Sequence, residues 1–170
     1  PELSVMRRHV DVTLGLDGSA AITTDMQVTG AYAPDWRRRY LAEGTRRERA
    51  TQDLAGDFGP MDVATGRAGV EATNIEDIEQ PVRLRVKGKA TNFARHEDDT
   101  LSVPASIAPR LVAELAPSSK RTLDVVIGAL TTREEEWVVK VPAGAKLQKV
   151  PAPQKIDSPY GHFELSVEQA

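Results

Sequence analysis

Three histidines, one acidic run and a crowd of arginines are the side chains whose types and spacing could do chemistry in this 170-residue chain. His9, His96 and His162 are scattered, and no pair has the spacing that brings two imidazoles onto one metal. His96-Glu97-Asp98-Asp99 sets an imidazole beside hard oxygen donors suited to a divalent cation. Acidic loops of this kind are more often simply solvated, and no metal is assigned to this one. The sequence contains no cysteine, which excludes a thiolate nucleophile, a disulfide framework and a Cys-ligated zinc. No G-x-S-x-G nucleophile elbow occurs. Gly15-Leu16-Asp17-Gly18-Ser19 lacks the Lys and the helix of a phosphate-binding loop and reads as a turn. The expectation is a chain without a catalytic set and without a cofactor.

The arginines carry more information. Arg37, Arg38, Arg39, Arg46, Arg47 and Arg49 stand against Asp35, Glu43 and Glu48. On two short helices such a cluster suits an acidic protein surface, a phosphate backbone or an anionic glycan. A solvated helical face is the plainer alternative. Trp36 and Tyr40 are four residues apart, so they share a helical face that either stacks on a ligand or packs inward. The candidate contact surface is therefore Trp36, Arg37, Arg38, Tyr40, Arg46 and Arg47. The formal net charge of −3 argues against a whole-surface attraction to nucleic acid or anionic lipid, so no nucleic-acid partner is expected.

The elements that must position these residues are mostly strands. Val10, Val12, Leu14 and Leu16 alternate with polar residues, Asp17-Gly18 supplies a tight turn, and Ile22, Thr24, Met26 and Val28 continue on a return strand. The period then changes. Trp36, Tyr40 and Leu41 share a helical face, Thr45 and Glu48 fit a capping box, and Ala50 and Leu54 lead to a closing Gly56. This predicts a helical insertion at about residues 35–55. Strand signals return within Met61–Thr73 and in the clean alternation of Val82–Lys87, then at Leu123–Ile127 and Thr132–Val141. Ser106–Leu115 fits a brief helix. Three apolar runs close the chain: Trp137–Val141, Lys146–Val150 and Phe163–Val167, the last expected to turn Phe163, Leu165 and Val167 toward the core. Eight to ten strands with two or three short helices predict a mainly β, antiparallel, sandwich-like single domain. No window is apolar enough for a membrane-spanning helix. The start at Pro1, without Met or a signal region, leads us to expect a fragment of a longer polypeptide.

An order of short motifs runs through most of the chain. Val28-Thr29-Gly30 ends the hairpin, WRRRYL follows at Trp36–Leu41, and Asn74 and Pro81 precede Lys120-Arg121-Thr122-Leu123. Val141-Pro142-Ala143-Gly144, Pro151 and Ser158-Pro159-Tyr160-Gly161-His162-Phe163 complete it. In this the chain resembles the C-terminal β-rich domain of unknown function that follows the papain-like core in multidomain bacterial transglutaminase-like proteins. The resemblance implies a non-catalytic accessory module whose partner is the upstream core of the same polypeptide, in a periplasmic or envelope setting. The family's Cys-His-Asp machinery belongs to that core, and without a cysteine none of its roles transfers to this sequence. A carbohydrate- or peptide-binding module acting alone is the alternative, for which Trp36, Tyr40 or Trp137 would line the site.

Overall fold

The computed structural model describes residues 4–66, 68–104, 124, 129–159 and 161–169. The helix expected at Ser106–Leu115, the strand expected at Leu123–Ile127 apart from Asp124, the Lys120–Leu123 motif and Tyr160 lie outside the described residues.

Alternation in the first thirty residues builds the spine of the molecule. β1 (Val5–Leu14) and β2 (Ala20–Val28) pair antiparallel with Leu14 opposite Ala20. The turn between them is held locally. The Asp17 carboxylate accepts from the Ser19 amide at 3.0 Å and its hydroxyl at 2.6 Å, while Gly15 N donates to Ser19 O at 2.7 Å. Gly18 sits at φ +76°, where a side chain would also collide with the Ala94 carbonyl at 2.9 Å. Glycine thus lets the turn dock, and Ala94 N donates back to Gly18 O. Leu16 lies in this turn and is 70% exposed, so the strand pattern ends at Leu14.

After β2 the chain rises into helices. α1 (Ala33–Tyr40) has Pro34 in its first turn beside Asp35, and Arg37–Arg39 in its last, the arrangement the helix dipole favours. α2 (Arg46–Phe58) buries Ala50, Leu54 and Phe58 at i, i+4 and i+8. It runs past Gly56 and stops at Gly59, whose φ is +76°. The expected capping box is not made. Thr45 Oγ1 donates to the Ala42 carbonyl and Glu48 accepts from Gln52 instead.

β3 (Met61–Val63) and β4 (Val70–Thr73) then pair in turn along one edge of β5 (Val82–Ala90), and β5 pairs with β2. A small hairpin, β6 (Arg95–Glu97) and β7 (Thr100–Ser102), follows, with Asp98 at φ +53° in its turn. β8 (Thr132–Lys140) returns to lie parallel to β1, giving the order β3-β5-β2-β1-β8. β9 (Gln154–Ser158) and β10 (Gly161–Leu165) form a separate antiparallel hairpin.

The protein is mainly β and rich in antiparallel pairs, with the helical insertion at the expected place and, among the described residues, no closed barrel. Among the described residues, the layer over the sheet's inner face comes from α1 and α2. Val10, Val12, Ile22, Met26, Leu84 and Val86 meet Tyr40, Leu54 and Phe58 there in one continuous core. Each such Leu, Val or Phe contributes about 1.5–3 kcal/mol by burial. Trp137 extends the core to β8, with its ring 5.7 Å from Phe58 and 6.4 Å from Phe93.

The tail departs from expectation. Residues 146–150 form no strand. Among the described residues β10 pairs only with β9; Phe163 is 46% exposed, Leu165 is half-buried, Val167 beyond the strand is 38% exposed, and none of the three joins the core. Alternation is present in β10, but its partner is a single strand, so among the described residues its apolar face has no layer to lie against.

Candidate functional site

The arginines that looked like a surface cluster are largely turned onto backbone carbonyls. Helices leave their last carbonyls unpaired, and α2 supplies donors to the end of α1. Arg46 Nε donates to Tyr40 O at 2.7 Å and its Nη2 to Leu41 O at 3.3 Å, while Arg49 Nη1 reaches Arg39 O at 2.6 Å. Arg47 performs the same service for an edge strand, with Nε 2.8 Å from Val63 O and Nη2 3.1 Å from the Asp62 carboxylate. Arg37 closes the loop before β5: it donates to the carbonyls of Asn74, of Ile75 at 3.2 Å and of Gln80 at 2.6 Å. Asn74, at φ +59°, completes that closure by donating to Pro81 O at 2.9 Å. Arg38 differs. Its side chain is 84% exposed and, among the described residues, meets Asp35 alone, one turn away.

Trp36 and Tyr40 do share a face, and it points inward. Their rings stack at 5.5 Å with 12° between planes. Tyr40 is buried, and its hydroxyl donates to Asp53 at 2.7 Å. Burial first, and then the neighbouring carboxylate, push the phenol far above its ordinary value, so it remains a donor at all physiological pH. Asp53 also receives both Nε and Nη2 of Arg39, which raises the Arg39 pKa in turn.

Below this triad lies a residue the sequence reading missed. Arg8 has the same parity as Val10 and Val12, so alternation places it on the inner face. Its side chain is 10% exposed and its Nη1 meets Asp57 at 2.8 Å. Asp57 is in the last turn of α2, where a carboxylate opposes the helix dipole, and Arg8 offsets that. Arg8 Nε is buried without a partner. Trp36, Arg39, Asp53, Asp57 and Arg8, with Arg133 and Glu135 of β8, border a cleft of about 380 Å³ between the sheet and the helices. Met6, Met26, Leu54 and Leu84 give it an apolar floor.

The opposite face of the sheet is a grid of opposed charges. Arg7 meets Glu134 at 2.6 Å, and Arg85 meets Asp25 at 3.7 Å. His9 contacts Glu136 at 3.0 Å and Asp11 at 3.4 Å, and the Glu136 carboxylate is the main cause that lifts its pKa. On the terminal hairpin, His162 lies 2.5 Å from Asp157 and 3.4 Å from Glu164, and its pKa is raised by hydrogen bonds to both. The three histidines thus sit on separate elements. No group of three or more potential ligands that could hold a metal ion occurs among the described residues, the His96–Asp99 run included. No helix among the described residues is long and apolar enough to cross a membrane.

A third feature is apolar surface. Among the described residues every buried hydrophobic side chain lies between Val5 and Ala94. Val138, Val141, Leu147, Val150, Ile156, Phe163 and Val167 are all exposed. Ile156 and Phe163 are directly opposed across β9 and β10, which makes one face of that hairpin apolar.

Residues 100–170, which contain β7 to β10, match a family described as a domain of unknown function with solved-structure structure (DUF3858). The expectation of a domain of unknown function is met over that stretch. No curated protein matches the chain, and no solved structure matches it.

Proposed function

We propose that this chain is a non-catalytic accessory module that works by contact, packing on the transglutaminase-like core of a larger polypeptide or on a partner of that core. The observation that carries this reading is the uncovered apolar surface of residues 138–167, above all the Ile156–Phe163 face. A two-stranded hairpin is marginal in water by itself, and its apolar face needs another surface to lie against. Exposed apolar side chains set side by side, as Ile156 and Phe163 are, suit an interaction site. The match of residues 100–170 to a domain of unknown function, and the absence of a thiol from the sequence, agree with a module placed beside a core that does the chemistry. Arg38 and Arg47, with side chains 84% and 52% exposed, are the most exposed arginines of the set that form ion pairs, and they steer the approach of an acidic surface.

The experiment is a calorimetric titration of the separately expressed core with the wild-type chain and with an Ile156→Asp/Phe163→Asp variant. Placing carboxylates in the apolar contact weakens association by roughly tenfold or more, the effect of losing a central anchor. Arg38→Glu lowers the association rate at low salt and has less effect at moderate salt. Unchanged affinity for the double variant removes the tail from the contact.

A further inference from the structure

The cleft beneath α1 has a chemistry of its own, separate from the apolar tail. Its cations Arg8 and Arg39 are each matched by a carboxylate, Asp57 and Asp53. Arg133 and Glu135 add one charge of each sign on β8, and Asp35 on the rim is matched by Arg38 at 2.8 Å. An anion entering the cleft therefore meets carboxylates at close range, and a cation meets guanidinium groups. Neither gains a net attraction. A neutral ligand bearing many hydroxyls meets no such conflict, because a hydroxyl donates to the carboxylates and accepts from the guanidinium groups.

Three further observations narrow the ligand. Arg8 Nε is a buried donor without an acceptor, on a side chain nine-tenths buried that lines the cleft. Such a donor is costly to leave unmet. Trp36 lines the same cleft, half-buried and stacked through one ring face on Tyr40, which fixes its plane. Met6, Met26 and Leu84 offer apolar contact beneath. A volume of about 380 Å³ lies in the range of small-molecule sites. A pyranose ring combines a flat apolar face with a rim of hydroxyls and so uses both the Trp36 wall and the paired charges.

We propose that this cleft is a binding site for a neutral saccharide, with Trp36 as the stacking wall and Arg8, Arg133 and Asp57 as the hydroxyl partners. The site stands whether or not the tail docks on a catalytic core.

The chain has two tryptophans, Trp36 and Trp137, so a Trp137→Phe variant leaves Trp36 as the sole indole emitter. Titrating it with chitotriose and with maltotriose should shift the Trp36 emission saturably, with a dissociation constant in the millimolar range or tighter. In wild-type protein the Trp36 indole N–H resonance should move in the same titration, which gives the same answer if the Trp137 variant folds poorly. Trp36→Ala and Arg133→Ala should each weaken binding by roughly tenfold, while Lys140→Gln, on the opposite face, should bind as wild type. No shift with either trisaccharide overturns the proposal. Binding that persists in Trp36→Ala and Arg133→Ala overturns it as well, as does tighter binding of a trigalacturonate than of both neutral probes.

Discussion

Residues 4–103 and residues 129–169 belong to one chain of ordinary composition, yet they use apolar residues in opposite ways. In the first region, alternation on β1, β2 and β5 and the i, i+4, i+8 stripe of α2 converge on a shared interior. In the second, β8 leans Trp137 and Val139 on that interior while Val138, Val141, Leu147, Val150, Ile156, Phe163 and Val167 are exposed. The difference teaches that periodicity specifies a face, and that a face becomes a core only when the topology sets a second layer against it. β1 has α2 above it. β10 has β9 beside it and no layer of the described chain over it.

The sharpest way to break the comparison is to empty one site in each region. Leu54→Ala should destabilise the isolated chain by about 2–5 kcal/mol, because the cavity lies beneath a closed layer. Urea melts measure it, and a loss under about 1 kcal/mol would contradict a tightly packed interface between α2 and the sheet. Next comes Arg8→Met, which strands Asp57 half-desolvated and should cost roughly 2–4 kcal/mol. The double variant Arg8→Met/Asp57→Leu should regain most of that loss, and failure to do so would mean that Arg8 acts through something besides its ion pair. Arg46→Gln comes third, at about 1–2 kcal/mol, since it frees carbonyls at the end of α1. A change within about 0.5 kcal/mol, the usual effect at an open surface, would return Arg46 to the role of a solvated charge. Phe163→Ala in the isolated chain should also stay within about 0.5 kcal/mol, since its ring is half exposed already.

The smallest effect concerns pH. His9 has a folded pKa above its ordinary 6.5, chiefly through Glu136 and Asp11. Its stabilising contribution is therefore complete below about pH 6.5 and declines as the pH rises through the raised folded value. Wild type should lose slightly more stability than His9→Gln across that window. Parallel pH profiles would contradict the link between His9 and the β8 carboxylates.

Much of the first region is legible from local pattern. The β1–β2 hairpin, the Asp17-Gly18 turn, the helical insertion and the strand at Val82 follow from period and turn chemistry alone. The arginines were not legible in the same way. Six cations on two short helices look identical in sequence whether they face water or a neighbouring helix end. Only the packing of α2 against α1 places Arg46 and Arg49 on the carbonyls of residues 39–41. Arg8 was within reach, because its parity with Val10 puts it on the apolar face. An arginine in a strand is easily taken as outward, and its partner Asp57 lies 49 residues away. The parallel pairing of β1 with β8 spans still more chain and has no local signal at all.

The central claim is that the apolar surface of residues 138–167 is built to be covered by a partner. Amide hydrogen exchange followed by mass spectrometry tests it directly, on the chain alone and with a saturating amount of the core we propose as its partner. The amides of β2 and β5 should exchange slowly in both samples, while those of β9 and β10 exchange rapidly alone and become protected on mixing. Tail amides as protected as β2 in the isolated chain, or unprotected at saturation with the core, would contradict the account.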